Sequence, residues 1–332
     1  MSVESITTAR PHTVLARHAR EGVLRYLGVL GALVLLIIWL SITQSDFLTS
    51  GNVLNILEAN AALLCVAVGA TFVMLVGGFD LSVGGMLGLS GVMLATFIQD
   101  GIPTGLAIVI VIVAATLVGL VVNGMLIARV GLSFFVVTLG TGSLFTGLAL
   151  VKTKGTTQGL YTNSLLHVIG VNTVAGVPVS VIIAGVVLLI GIAVTHFTGF
   201  GRQIYVVGGN QEAARLAGIN VTAVRMTVYA IAAGCAAIAG VLTAGRLASA
   251  APDTGTGVEL TAAAAVMIGG TSLFGGSGGL FGSLLGVLFL GTLSNGLTLA
   301  GISAFWQGVV TGIVLVLAVL FDRFRPDPAR SS

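Results

Sequence analysis

The amino-acid sequence predicts an all-α polytopic membrane protein with about ten transmembrane helices. Hydrophobic residues make up 56% of its 332 residues and charged residues only 8%, whereas soluble domains carry roughly 25% charged residues. The mean hydropathy is +1.12. The apolar runs are too long for the strands of a membrane β-barrel, which span roughly ten alternating residues each. Helices, which satisfy their own backbone hydrogen bonds, are the remaining way to cross a bilayer.

The chain divides into a leader, a membrane domain and a tail. Residues 1–25 form a basic leader, residues 26–321 the membrane domain, and residues 322–332 a polar tail. Polar turns and glycine-rich breaks separate the apolar runs of the membrane domain. These runs predict spans at residues 26–43, 53–76, 83–98, 105–123, 133–150, 179–195, 226–245, 257–268, 280–299 and 303–320.

The basic residues orient this arrangement in the membrane. Ten spans place both termini on one side, and only Lys152, Lys154 and Arg246 lie on the other side. The eleven basic residues on the side of the termini are Arg10, Arg17, Arg20, Arg25, Arg129, Arg202, Arg215, Arg225, Arg323, Arg325 and Arg330. Because cytoplasmic loops carry an excess of Lys and Arg, both termini are predicted to be cytoplasmic.

The longest polar segment in the second half of the chain, residues 199–226, lies between two spans on the predicted cytoplasmic side. Its middle predicts a short helix. Asn210 is a good N-cap, Glu212 lies in the first turn, and Gly218 is a good C-terminal stop. Such a capped helix would be a rigid projection on the membrane face. The alternative is an ordinary solvated loop between helices.

The longest polar loop after the leader, residues 152–178, is predicted to be external. Together with the loop at residues 246–256, it is expected to dock an external partner, because charged rims steer encounter.

The two glycine-rich breaks resemble each other. The first glycine loop, residues 77–82, lies within VMLVGGFDLSVGG, and the second glycine loop, residues 269–279, lies within VMIGGTSLFGGSGG. Both follow a span that runs from outside to inside, so the pair suggests a two-fold internal repeat.

The sequence lacks the common motifs of nucleotide-binding and metal-binding sites. GGSGGLFGS, which begins at Gly275, has the glycines of a phosphate-binding loop but no Lys, and HExxH and CxxC do not occur. The four histidines lie outside the interiors of the spans, so no metal site is predicted. The net charge of +3 reflects membrane topology and does not indicate nucleic-acid binding. The chain is therefore expected to be neither an enzyme nor an ATPase.

Four polar residues near or within the spans are candidate functional residues. Asp80 and Ser82 could belong to a gate near the cytoplasmic side, or they could cap the helix that follows, where negative charge suits the helix dipole. Asn60 and Asn123 could line a pathway for a polyol. The alternative for both is a hydrogen bond between helices.

Three segments resemble the ribose-type ABC importer permeases, the membrane subunits of sugar importers. The segment at Gly199 reads GFGRQIYVVGGNQEAARLAGI and is similar to their cytoplasmic coupling segment. The segment at Gly77, GGFDLSVGGMLGLSG, resembles an early signature in which Ile is commoner than Phe79. The segment at Val258, VELTAAAAVMIGGTSLFGGSGGLFGSLLGVLFLGTLSNGL, resembles a late one.

This resemblance implies a permease dimer, a homodimer here, that encloses one pathway in the bacterial cytoplasmic membrane. Cytoplasmic ATP-binding cassettes would hydrolyse ATP with Mg, so this chain would bind no cofactor, and an extracytoplasmic binding protein would deliver the sugar. The residues that match the coupling helix are Asn210, Glu212, Ala213, Ala214, Arg215 and Gly218. A secondary transporter or facilitator is the alternative, with Asp80 as its one candidate for a coupling-ion site.

Overall fold

The structure, a computed structural model, describes residues 11–161 and 163–323. The first ten residues of the predicted leader and residues 324–332 of the predicted tail lie outside the described residues. The helices are α1 Pro11–Thr43, α2 Ser50–Leu75, α3 Val83–Gln99, α4 Thr104–Val118, α5 Met125–Ala128, α6 Phe134–Thr153, α7 Ser164–Val171, α8 Val179–Phe197, α9 Gly199–Gly209, α10 Gln211–Leu216, α11 Val221–Leu247, α12 Val258–Ile268, α13 Leu280–Leu299 and α14 Ala304–Arg323. The strands are β1 Gln158–Gly159, β2 Thr173–Val174, β3 Val177–Pro178 and β4 Ser249–Ala250.

Among the described residues, seven helical segments are long and apolar enough to cross a membrane. They are Tyr26–Thr43, Ser50–Leu75, Thr104–Ala128, Phe134–Thr153, Val179–Phe197, Val221–Leu247 and Leu280–Leu299. Three shorter apolar helices, Val83–Gln99, Val258–Ile268 and Gly308–Leu317, occupy the other predicted positions. The polytopic helical class is confirmed, while the count of ten spans stays a prediction.

Helix α11 lies at the centre of the packing, against α2, α3 and α4. Its alanines and glycines allow neighbouring backbones to approach closely, as small residues do in membrane helices. A Cβ added at Gly69 of α2 would lie 2.8 Å from Cα of Ala232, and one at Gly240 would lie 2.5 Å from the carbonyl oxygen of Leu87. The core therefore depends on close backbone contact, with Tyr229 as its largest fully buried side chain.

The fourth predicted span does not end at Asn123. A π-helical segment, Gly119–Gly124, joins α4 to α5, so the helix continues to Ala128. A Cβ at Gly119 would lie 2.7 Å from the carbonyl oxygen of Tyr229, so the widened turn lies directly against α11. Single π-turns inside α-helices are frequent at functional sites. This one leaves Asn123 only 1% exposed.

The two loops predicted to be external are joined to each other. Strand β1 pairs antiparallel with β4, with Gln158 opposite Ala250. The backbone N–H of Leu160 also donates to the carbonyl oxygen of Ala248 at 2.8 Å. Helix α7 follows directly and packs against α11. The loop at residues 152–178 is therefore joined to the end of α11 by hydrogen bonds and packing.

Candidate functional site

The short helix α10 has the N-cap that the sequence predicts. The Asn210 side-chain oxygen accepts hydrogen bonds from the backbone N–H groups of Glu212 and Ala213, each at 3.0 Å. These two donors would otherwise lack a partner at the start of the helix.

The other end of α10 closes on Gly218, whose φ is +78°. Its N–H donates to the carbonyl oxygen of Arg215 at 2.9 Å, and that of Ile219 donates to Ala214 at 3.0 Å. This pair of bonds is the Schellman motif, for which glycine suits the left-handed position. Helix α10 therefore has satisfied ends on both sides and can behave as one rigid unit.

The outer surface of α10 combines an ion pair with small and apolar side chains. Arg215 and Glu212 form a pair at 3.3 Å with side chains 59% and 75% exposed. Ala213 is exposed and Leu216, three residues later on the same face, is 86% exposed, whereas Ala214 is fully buried. The segment thus presents an apolar strip that the described part of its own chain does not cover.

Helix α9 precedes this segment and was not predicted from the sequence. The Thr198 side chain caps it by accepting from the N–H of Gly201 at 3.1 Å. Ile204 and Val207, three residues apart, are fully buried. This cap and this spacing are the sequence signals that predict the helix. The glycines and polar side chains of the segment, which are typical of loops, point the other way.

The end of α9 connects α10 to both glycine loops. The N–H of Gly276 donates to the carbonyl oxygen of Leu75 at 2.9 Å. A Cβ at Gly208 would collide with that same carbonyl and lie 2.5 Å from the Gly276 nitrogen. A Cβ at Gly77, whose φ is +75°, would lie 3.1 Å from the carbonyl oxygen of Phe274. These contacts form a glycine junction in which three segments meet backbone to backbone.

The first glycine loop also carries a buried polar cluster. Asp80 is only 7% exposed, and its Oδ1 accepts from the N–H and the Oγ–H of Ser82 at 2.8 and 2.6 Å. Asn123 donates from Nδ2 to Ser82 Oγ at 2.7 Å. The structure therefore brings these three predicted residues together. Asp80 accepts a free N–H as the capping alternative predicts, whereas the Ser82 side chain does not cap α3.

Tyr229 and Arg225, which sequence reasoning did not select, lie next to this cluster. A Cβ at Gly78 would lie 2.8 Å from the Tyr229 hydroxyl. Within the described residues, Asp80 Oδ2, Asn123 Oδ1, Tyr229 Oη and Arg225 Nε are buried without a hydrogen-bond partner. Burial raises the pKa of the Asp80 carboxyl, while the hydrogen bonds that it accepts lower it. A tyrosine among alanines, one helical turn after an arginine, was the available sequence signal.

Asn60 lies apart from this cluster. It faces a cavity of about 540 Å³ between α2, α12, α13 and α14, to which Thr261 and Ser294 also contribute. Its Nδ2 donates to the carbonyl oxygen of Ile56 at 2.8 Å. Asn60 therefore meets open space, whereas the burial of Asn123 and its bond to Ser82 favour the interhelical alternative for that residue.

Comparison with known proteins places the chain among transport permeases. Residues 52–319 match the family "Branched-chain amino acid transport system / permease component". The ribose import permease protein RbsC of Bacillus subtilis is 43% identical over 91% of this chain and 94% of its own length. The Escherichia coli K12 protein of the same name is 40% identical over 88% and 91%. The D-allose transport system permease protein AlsC of Escherichia coli K12 is 36% identical over 85% and 86%.

No solved structure matches the chain significantly. The family match covers most of the sequence, and the relatives align along nearly their whole lengths. The chain belongs to the family of transport-system permease components, among its ribose-type ABC importer permeases.

Proposed function

We propose that this chain forms the membrane pathway of a sugar ABC importer in the bacterial cytoplasmic membrane. The observation that carries the proposal is the near full-length similarity to permeases named for ribose and D-allose, at 36–43% identity. The family description names branched-chain amino acids, which makes leucine the relevant competing substrate. An importer of this kind works with an ATPase subunit and an external binding protein.

The proposed contact with the ATPase subunit is α10, with Asn210, Glu212, Ala213, Ala214, Arg215 and Gly218 as its residues. Satisfied helix ends support it, because a short helix with no free backbone groups can move as one body. The exposed strip of Ala213 and Leu216 supports it as well, because small and apolar side chains fit a groove on a partner. Hydrolysis of ATP with Mg is assigned to that partner, and no cofactor is assigned to this chain.

The proposed topology has ten spans, both termini in the cytoplasm and two copies of the chain around one pathway. Contacts between loops support the alternation of sides. Segments predicted to be external pair as β1 with β4, and segments predicted to be cytoplasmic meet in the glycine junction. The contact between the two similar glycine loops fits an internal repeat.

Reconstitution in liposomes tests the transport function. The chain would be purified with its ATPase subunit, and uptake of D-ribose, D-allose and L-leucine would be measured with the binding protein and ATP present. We expect ATP-dependent uptake of a sugar by the assembled complex and none by the permease alone. Uptake of leucine instead of either sugar would contradict the substrate class. Uptake by the permease alone would favour the facilitator.

A further inference from the structure

A second cavity, of about 190 Å³, lies near the ends of α2, α8 and α11 on the predicted external side. Glu58 and Arg246 are the charged residues in its wall, with Arg246 Nε 3.8 Å from Glu58 Oε1. At that distance the charges attract each other without forming a hydrogen bond. The Glu58 and Arg246 side chains are 27% and 39% exposed, so a solute can reach both.

The same cavity has hydroxyl groups with unused hydrogen-bonding capacity. Ser180 is 2% exposed and lines the cavity, and its Oγ has no partner within the described residues. A buried hydroxyl without a partner is uncommon, because its desolvation is costly. Thr243 and Thr254 donate to backbone carbonyls and keep acceptor lone pairs. Alanine, leucine and valine side chains form most of the remaining wall.

We propose that this external cavity is a transient binding site for a single monosaccharide, which the sugar occupies before it moves further along the pathway. This proposal rests on the proposed function. A sugar hydroxyl both donates and accepts, so it can bind the Glu58 carboxylate, the Arg246 guanidinium and the Ser180 hydroxyl at once. The apolar wall suits the C–H face of the ring.

The charges favour a neutral polyol over an amino acid. Glu58 and Arg246 neutralise each other, and a polyol can use their free lone pairs and N–H groups while the pair stays together. A zwitterionic amino acid would have to separate the pair in order to bind one end to each charge. The volume equals that of roughly six water molecules at ~30 Å³ each, which suits one small ring.

The position of the cavity fits a site near the entrance. Thr254 lies in the loop that follows β4, and Arg246 lies at the end of α11 just before it. Strand β4, which pairs with β1 to join the two external loops, therefore lies between these two lining residues in the sequence. Occupancy must be brief, because a pathway that binds its solute strongly cannot release it.

Thiol labelling tests occupancy directly. Thr243→Cys, at a partly exposed position in the wall of the cavity, would be introduced into the chain, which would be assembled with its ATPase subunit in nanodiscs and treated with a small methanethiosulfonate reagent. Cys65 and Cys235 are both buried, so the unchanged chain supplies the background. We expect the sugar that the wild-type complex transports, D-ribose or D-allose, to slow labelling several-fold at millimolar concentration, and L-leucine to have no effect. A labelling rate that this sugar leaves unchanged would overturn the proposal, as would equal protection by leucine.

Uptake by charge variants provides a second measurement. We expect Glu58→Gln and Arg246→Lys each to lower sugar uptake by about tenfold or more. A hydrogen bond to a charged group changes a binding constant by about that factor, and Lys does not replace the planar guanidinium of Arg. The matched control is Asp100→Asn, an exposed carboxylate in another predicted external turn, for which we expect wild-type uptake. Wild-type uptake by both cavity variants would reject the site while leaving the transport function intact. Absence of sugar uptake by the wild-type complex would reject the function itself.

Discussion

At the scale of single residues, the buried polar cluster explains how a carboxylate is accommodated inside the protein, in the loop between α2 and α3. Asp80 uses one oxygen for two bonds from Ser82, and Asn123 extends the network from the π-helical segment. Both bonds from Ser82 need an oxygen acceptor at this position, which a neutral amide can supply as well as a carboxylate. The bonds within this cluster therefore favour a structural role for Asp80.

This reasoning predicts different outcomes for two substitutions of Asp80. Asp80→Asn keeps an oxygen acceptor for Ser82, so the purified permease should unfold near the wild-type temperature and retain uptake. Asp80→Leu leaves two buried donors unpaired, at about 1–3 kcal/mol each, and should lower the Tm by several degrees. Thermal unfolding in detergent compares the two variants. If Asp80→Asn folded normally but lost uptake, the carboxylate would act in the gate.

At the scale of elements, the glycine junction makes α9 the connection between α10 and the spans. The contacts at Gly208 involve backbone atoms of Leu75 and Gly276, which cannot rotate away as a side chain can. A displacement of α10 would therefore be transmitted to both glycine loops.

Two neighbouring glycines provide a matched test of the junction. A Cβ at Gly208 would collide with the Leu75 carbonyl, whereas one at Gly209 has nothing within 4 Å. Gly208→Ala should destabilise the permease by about 1–3 kcal/mol and impair uptake. Gly209→Ala should leave both near wild type, since alanine favours a helix more than glycine does. Equal Tm values for the two variants would argue against a tight junction.

Two neighbouring alanines of α10 provide a second matched test, which distinguishes contact with the ATPase subunit from folding of the permease. Ala213 is exposed and Ala214 is fully buried. Ala213→Trp should leave the isolated permease folded but abolish substrate-stimulated ATPase activity and uptake, because the bulky ring would clash with a partner. Ala214→Trp should lower the Tm of the isolated chain by overpacking. Wild-type uptake with Ala213→Trp in an assembled complex would refute the coupling role.

Glu212→Ala distinguishes two environments for the ion pair. If Glu212 serves only its exposed pair with Arg215, the loss is about 0.2–0.5 kcal/mol and uptake should persist. If it binds the ATPase subunit, truncation of a charge buried at the interface can cost about 2–5 kcal/mol. We expect the larger effect, measured as weaker assembly of the complex, with the Tm of the permease unchanged.

At the scale of the whole molecule, topology can be tested at two exposed positions. Thr156→Cys and Gln203→Cys, both exposed, should react with a membrane-impermeant thiol reagent from opposite sides, the first from outside the cell. The wild-type chain, whose two cysteines are buried, gives the background. Labelling of both positions from one side would break the predicted alternation.

Most of the helical architecture could be predicted because long apolar runs specify spans directly. The cap of α10 could be predicted because Asn210 and Gly218 have local roles. The π-helical segment and the pairing of β1 with β4 could not be predicted, whereas the Thr198 cap and the spacing of Ile204 and Val207 did signal α9. A strand of two residues has no alternation to read, and the widened turn at Gly119 depends on contact with α11. Tyr229 was missed for the same reason: its position beside Gly78 arises only from packing.

The pairing of β1 with β4 also has a consequence for the order in which the protein is made. The two spanning helices α8 and α11 separate these strands along the chain. During synthesis at about 5–20 residues per second, β1 is made first and stays unpaired until β4 has been synthesised. The pair can form only after both helices have entered the bilayer and β4 has reached the same side. In the predicted topology, the joining of the two external loops is therefore a late step of membrane insertion, which follows the insertion of the central helix α11.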